Sequence, residues 1–172
     1  PADGALRPLI KHYTDRKRSS WGVEGPPRAV SSALLPRGGA VSGVAGPNWV
    51  LIGDAAACVN PLNGEGIDYG LETGRLAASM VGAPDLTAAW PALLADHYAR
   101  GFSVARRLGL LLTLPRFLPL TGPVAMRSRR LMGLAVRVMG NLVTDEDADW
   151  VARVWRSAGY GSRILDRRKP FN

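Results

Sequence analysis

The sequence predicts an α/β (α+β) chain: a short buried strand, a Gly-rich loop and a helix within residues 49–82, then a helical C-terminal region. Three observations carry this expectation. A continuous apolar run at 49–52 is ended by Gly53, and such a run marks a strand buried on both faces. Glycines then fall at 53, 64, 66, 70 and 74, and Ile67, Leu71, Gly74 and Ala78 follow at helical spacing. Beyond residue 97, segments dense in Leu, Met and Phe lie between arginines, the composition of basic amphipathic helices.

Taken in order, residues 1–28 are polar and charged around "KHYTDRKRSSWG", closed by the Pro26, Pro27 pair. The small-to-apolar run "AVSSALL" over 29–35 reads as a strand and "PRGG" as the turn after it. "NWVLIGDA" supplies the buried strand. The loop that follows becomes helix near Gly66, because the helical period begins there. Gly64 and Gly66 let a ligand approach the backbone closely, Pro61 fixes the entry of the loop, and the helix N-terminus attracts anions and electron-rich carbonyls. Asp54, just past the strand, can accept hydrogen bonds from sugar or polyol hydroxyls. These features describe a site for a polyhydroxylated, partly anionic cofactor. The alternative is purely structural: Gly66, Gly70 and Gly74, spaced by four, allow a helix to pack closely on a sheet.

Composition narrows the function classes. The chain has 172 residues and 47% hydrophobic content, enough for a core. Its net charge is +8, and every basic residue except Lys11, Lys17 and Lys169 is an arginine. The lone cysteine, Cys58, excludes a disulfide within the chain, and with His12 and His97 it makes no metal cluster. A reducing, cytoplasmic-side location is expected, and the opening at Pro1 shows no basic and apolar pattern of a secretory signal.

The last third has its own pattern. Between His97 and Thr144 lie Arg100, Arg106, Arg107, Arg116, Arg127, Arg129, Arg130 and Arg137, with no acid. No charge-free run reaches the roughly 18 residues of a membrane span, and Pro115, Pro119 and Pro123 interrupt the best candidate. A surface-lying basic segment fits, with apolar faces in the headgroup boundary and arginines on anionic lipids; the alternative is a helical cap with solvated arginines. Nucleic acid is excluded as a partner, since no reader motif or interleaved aromatics accompany the charge. In "TDEDADWVARVWRSAGYGSRILDRR", Thr144 is expected to cap a helix bearing Trp150, Val151, Val154 and Trp155 on one face. "DRRKPFN" is expected to fray.

The run "VLIGDAAACVNPLNGEGIDYGLETGRLAA" resembles the second flavin-binding motif of FAD-dependent oxidoreductases with the aromatic-hydroxylase type of fold. Within that superfamily it is most similar to the geranylgeranyl reductase family, whose pattern is a strand, G-D-A-A, small residues, N-P, and G-E-G opening a helix. The resemblance is specific over 31–80 and weaker to about 110. It implies the C-terminal part of a two-domain FAD-dependent fold. In it, 1–46 would be the end of a substrate-domain sheet and its connection, 47–96 the second half of the FAD site, and 97–172 a basic helical region.

Carried over by residue, the resemblance implies that Asp54 binds the ribityl chain of FAD, with Gly53 allowing close approach. Asn60 and Pro61 would lie along the isoalloxazine ring. Gly64, Glu65, Gly66 and Ile67 would present the helix N-terminus to the pyrimidine edge, where negative charge develops on reduction. Cys58 would be a small packing residue. The family's G-x-G-x-x-G for the ADP half is absent; Gly159 and Gly161 imitate only its first half. The missing N-terminal portion of the enzyme is therefore an expected partner, and this chain alone is expected to bind FAD weakly and to be inactive.

The resemblance implies reduction of a C=C bond in a polyprenyl lipid at a membrane surface, as a peripheral protein on the cytoplasmic side. A geranylgeranyl lipid and the side chain of menaquinone are both candidate substrates, and the basic face inclines the reading to the quinone. The catalytic proton donor is unknown; Tyr69 and Glu65 are candidates only by proximity to the loop. An FAD-dependent monooxygenase or halogenase of the same fold is the alternative enzyme, and a non-catalytic membrane-surface module the alternative from another class.

Overall fold

A computed structural model describes residues 3–22, 24–26, 34–143, 146–167 and 169–171. Thr144 and all but the last two residues of the 29–35 run lie outside them, and Leu34 and Leu35 are not in a strand. The chain divides into two compact units, Pro1–Leu34 and Leu35–Asn172.

The first unit holds α1 (Asp3–Trp21), within the polar and charged stretch at 1–28. Charged side chains at three- and four-residue spacing explain it: Asp15 accepts from Lys11 at 2.9 Å and Arg18 at 3.1 Å, pairs that support an exposed helix. Lys11, then Arg18, hold the Asp15 carboxyl below the usual carboxylate range.

The second unit begins with a hairpin, β1 (Ala45–Gly46) and β2 (Trp49–Val50), antiparallel with Ala45 opposite Val50 and Gly46 opposite Trp49. The expected strand over 49–52 is thus only two residues of ladder, and it is not buried on both faces: Trp49 is 47% and Ile52 42% exposed. Burial on both faces needs neighbouring strands and covering helices, and among the described residues β2 has only β1 as neighbour. The Leu51 N–H donates to Val44 O (2.8 Å), and Leu51 O accepts the Trp90 indole N–H (2.9 Å).

The remaining elements are a 3₁₀ turn at Gly53–Ala56, then α2 (Ile67–Ser79), α3 (Ala89–Leu112), α4 (Phe117–Met126), α5 (Arg129–Met139) and α6 (Trp150–Ile164). The expected helix start near Gly66 agrees with α2. The core joins Val44, Cys58, Tyr69, Leu76, Trp90, Leu94, Tyr98, Phe102 and Phe171. Burying side chains such as Leu94 or Phe102 contributes about 1.5–3 kcal/mol each.

The α3–α6 crossing is close. A Cβ at Gly159 would lie 3.2 Å from Arg100 Cβ, and Ser103 and Ser162 share a buried 2.6 Å hydrogen bond. Gly159 therefore serves helix packing, not phosphate binding. Asp166 accepts from Arg106 (2.9 Å) and Arg107 (3.1 Å).

Two expectations for the C-terminal segment change. The helix begins at Trp150 with Asp149 as its cap, whose Oδ1 accepts the Ala152 N–H at 2.9 Å. The terminal residues do not all fray: Phe171 is 1% exposed, and its N–H donates to Gly39 O at 3.0 Å. The reason is packing, since the ring lies 6.4 Å from that of Phe102.

No single helix among the described residues is long and apolar enough to cross a membrane; α3 and α4 pass together but meet at 101°. The break falls at 113–116, and Pro119 and Pro123 sit inside α4. Neither α4 nor α5 has a buried residue, and Leu118, Leu120, Val124, Met126, Leu131 and Val136 are exposed on them.

Candidate functional site

The segment between the hairpin and α2 is knotted onto α2 by short bonds. The Gly53 N–H donates to Thr73 Oγ1 (3.0 Å), and that hydroxyl donates to Tyr69 O (2.6 Å). A Cβ at Gly53 would stand 3.3 Å from Gly70 Cα, so turn and helix touch backbone to backbone at this point. A Cβ built at Gly70 itself meets nothing within 4 Å, so the close approach is set by Gly53 on the 3₁₀ turn and not by the four-residue glycine spacing along the helix.

A second bracket closes the loop. The Asn60 N–H donates to Glu65 O (2.8 Å), and the Gly64 N–H to Asn60 O (2.9 Å). Asn60 Oδ1 accepts from the Leu62 N–H (2.9 Å) and Asn63 Oδ1 from the Glu65 N–H (2.8 Å), side-chain turns that shape a loop without regular ladders. Gly64 has φ +77 and nothing within 4 Å of a built Cβ; the conformation requires glycine there, and the space beside it is open.

This folding brings Asp54 and the start of α2 together. A Cβ at Gly66 would be 2.7 Å from Asp54 Oδ1, so the carboxylate leans over the glycine that precedes the helix. No side chain caps α2 at Gly66. Glu65 Oε1 accepts the Asp68 N–H (3.0 Å), while Glu65 Oε2 is buried with no hydrogen-bond partner among the described residues. A buried acceptor without a donor is costly unless a ligand or water supplies one.

The expected site residues thus divide. Asp54, Gly64, Glu65, Gly66 and Ile67 are exposed or half-buried; Gly53, Asn60 and Pro61 are buried. Asn60 is 5% exposed, and its amide N–H reaches Asn141 Oδ1 at 3.4 Å. Pro61 O accepts from Arg37 at 3.3 Å. Cys58 is buried, and desolvation, with the Glu72 charge second, pushes its thiol up to about 12. Its reactive thiolate is suppressed.

The residues missing from the sequence reading come from the end of α5. Asn141, in the left-handed conformation at φ +57, accepts from the Tyr69 hydroxyl (3.0 Å) as well as from Asn60. Asn63 donates to Met139 O (2.6 Å). The signal was present: Gly140 and Asn141 directly follow a helical period, the pattern of a left-handed helix C-terminus. Burial pushes the Tyr69 phenol up to about 12, and burial together with the bond to Glu72 raises that of Tyr98.

Two concavities border residues of α2 and of the end of α5. A polar cavity of about 590 Å³ is lined by residues including Tyr69, Glu72, Tyr98, Asn141 and Trp155. An apolar groove of about 670 Å³ lies between α3, α4, α5 and α6. Among the described residues no three His, Cys, Asp or Glu side chains converge to hold a metal.

Over its whole length the chain is 74% identical to a menaquinone reductase of Mycolicibacterium smegmatis, of which it spans 43%. It is likewise 74% identical to the menaquinone reductase of Mycobacterium tuberculosis, of which it spans 42%. The chain therefore covers less than half the length of the curated relatives it matches and aligns as a piece of a longer protein. No family model and no solved structure matches it.

Proposed function

We propose that this chain is the C-terminal portion of an FAD-dependent oxidoreductase that reduces a C=C bond in the polyprenyl side chain of menaquinone. The observation that carries the reading is the meeting of Asp54 with Gly66 at the start of α2, beside Glu65 Oε2, which has no hydrogen-bond partner among the described residues. The 74% identity to menaquinone reductases supports the substrate class.

These residues fit one half of the cofactor. A polyol chain offers hydroxyl donors to Asp54. A flavin pyrimidine edge carries both carbonyl acceptors and an N–H donor, matching the α2 N–H groups and the Glu65 acceptor. Open space beside Gly64 admits close approach. FAD, when bound, supplies the hydride chemistry. The chain's own residues bind and orient. The α2 N-terminus favours developing negative charge, Asn60 and Pro61 hold the loop from its buried side, and Tyr69 keeps its proton, its hydroxyl hydrogen-bonding to Asn141 Oδ1. Glu65 acts in shaping the loop, through the Asp68 N–H. The ADP half belongs to the rest of the longer protein, so the piece alone is inactive.

The protein works peripherally on the cytoplasmic side of a membrane. Exposed Arg116, Arg127, Arg129 and Arg130, next to the apolar surfaces of α4 and α5, support this.

The test is the absorption spectrum of the full-length protein purified in detergent. Oxidised-flavin bands are expected, and Asp54→Ala is expected to lose them. A colourless protein that takes up no added FAD overturns the flavoenzyme reading. Substrate-coupled oxygen uptake would make it a monooxygenase instead.

A further inference from the structure

The polar cavity and the apolar groove are neighbours: Trp155 lines both. Met139, at the end of α5, lines the groove, and its carbonyl accepts the Asn63 amide of the cofactor loop at 2.6 Å. Two residues further, Asn141 lines the polar cavity and accepts from Tyr69 and Asn60. One short segment of chain therefore borders the groove, the cavity and the loop.

The linings differ sharply in chemistry. The groove is walled by side chains such as Leu112, Val124, Leu134, Val138 and Val154. Apart from two indoles, its only polar side chain among the described residues is Thr121, whose hydroxyl donates to Phe117 O of its own helix at 2.7 Å. An extended peptide lying there would bury N–H and C=O groups without partners; a hydrocarbon chain has none to satisfy. The cavity instead carries phenols, carboxylates and arginines. Each has the size of a small-molecule pocket, about 300–1,000 Å³.

We propose that the pair seats one amphiphile, a prenylated quinone, with its isoprenoid chain in the groove and its polar ring in the cavity, turning at Trp155. This rests on the menaquinone reading above and adds the subsite that holds each end. The chain then enters between α4 and α5, beside the arginines, and passes the cofactor loop at Met139.

The test uses the full-length protein in detergent micelles, with quenching of tryptophan fluorescence by two probes. One is menaquinone with a long isoprenoid chain, and the other is 2-methyl-1,4-naphthoquinone, the same ring without the chain. Ala135→Phe fills the groove, and Val154→Asp charges it at a position that is 59% exposed and so tolerant of change. Both variants are expected to weaken long-chain binding about tenfold while leaving the chainless ring within about twofold. Ile164→Asp, exposed and outside the groove, is expected to alter neither. Unchanged long-chain binding in both variants overturns the proposal, as does equal weakening of the two probes in Val154→Asp. Wild-type protein that binds the long-chain quinone no tighter than the bare ring also overturns it and points to a segment of the longer protein in the groove. Tight, groove-dependent binding without reduction of the chain would instead remove the reductase reading and leave the subsite standing.

Discussion

Asn141 shows how one residue past a helix can set a site. Its left-handed backbone and its acceptor oxygen serve together, since the Tyr69 hydroxyl and the Asn60 amide both end on Oδ1. Asn141→Ala in the full-length protein is expected to cost about 2 kcal/mol, from a strained backbone and a buried hydroxyl left without its acceptor; urea unfolding would measure it. Asn141→Gly should recover the backbone part only. Gly66→Ala places a methyl 2.7 Å from Asp54 Oδ1 and is expected to displace that carboxylate. Flavin content should fall while the unfolding midpoint changes little. Cys58 gives a pH prediction. Its folded value of about 12 lies above the ordinary thiol value of 9.0, so the fold favours the neutral form. Stability is full below the ordinary value and declines as pH rises from there toward 12, because only the unfolded thiol ionises. Native protein at pH about 8.5 should resist iodoacetamide, and urea should expose the thiol.

At the scale of elements, the ends of the helices decide more than their middles. α6 starts where Asp149 can accept the Ala152 N–H, six residues into the charged run. That bond, then Arg137, lowers the Asp149 carboxyl below its ordinary value. A depressed carboxylate stabilises above its unfolded value and loses that effect as pH falls through the folded one. Acidification below about pH 4 is therefore expected to loosen the first turn of α6, read as faster amide exchange at 150–153. Asp149→Asn should retain much of the cap but lose the pH response, as Asn also caps well. The C-terminal residues are held by the Phe171 N–H on Gly39 O and by the buried Phe171 ring. Phe171→Ala is expected to cost about 3 kcal/mol, measurable by thermal unfolding, because the ring fills a buried position against Phe102 and Gly39.

At the scale of the whole molecule, the loop and the helix after it were legible because their signals are local. Gly64 and Gly66 report backbone conformation and close approach, and the period from Ile67 reports a face. Asp54 could be singled out by its place after an apolar run, although the meeting with Gly66 could not. The strand over 49–52 misled because apolar continuity records what a segment can bury, not whether neighbours are there to bury it. The tail misled because Phe171 looks like the end of a polar segment until Gly39 and Phe102 are known to surround it. The sequence by itself determined the turn chemistry, the start of α2, the concentration of arginine without acid, and the resemblance that points to a flavin. Only the tertiary structure decided that Asn141 holds the loop, that Asn60 and Pro61 lie beneath it, and that an apolar groove and a polar cavity meet at Trp155. Contacts such as Asn60 with Asn141 join residues far apart in the chain. Local propensity carries no record of such partners; they are selected by how complementary faces pack when the helices close on one another.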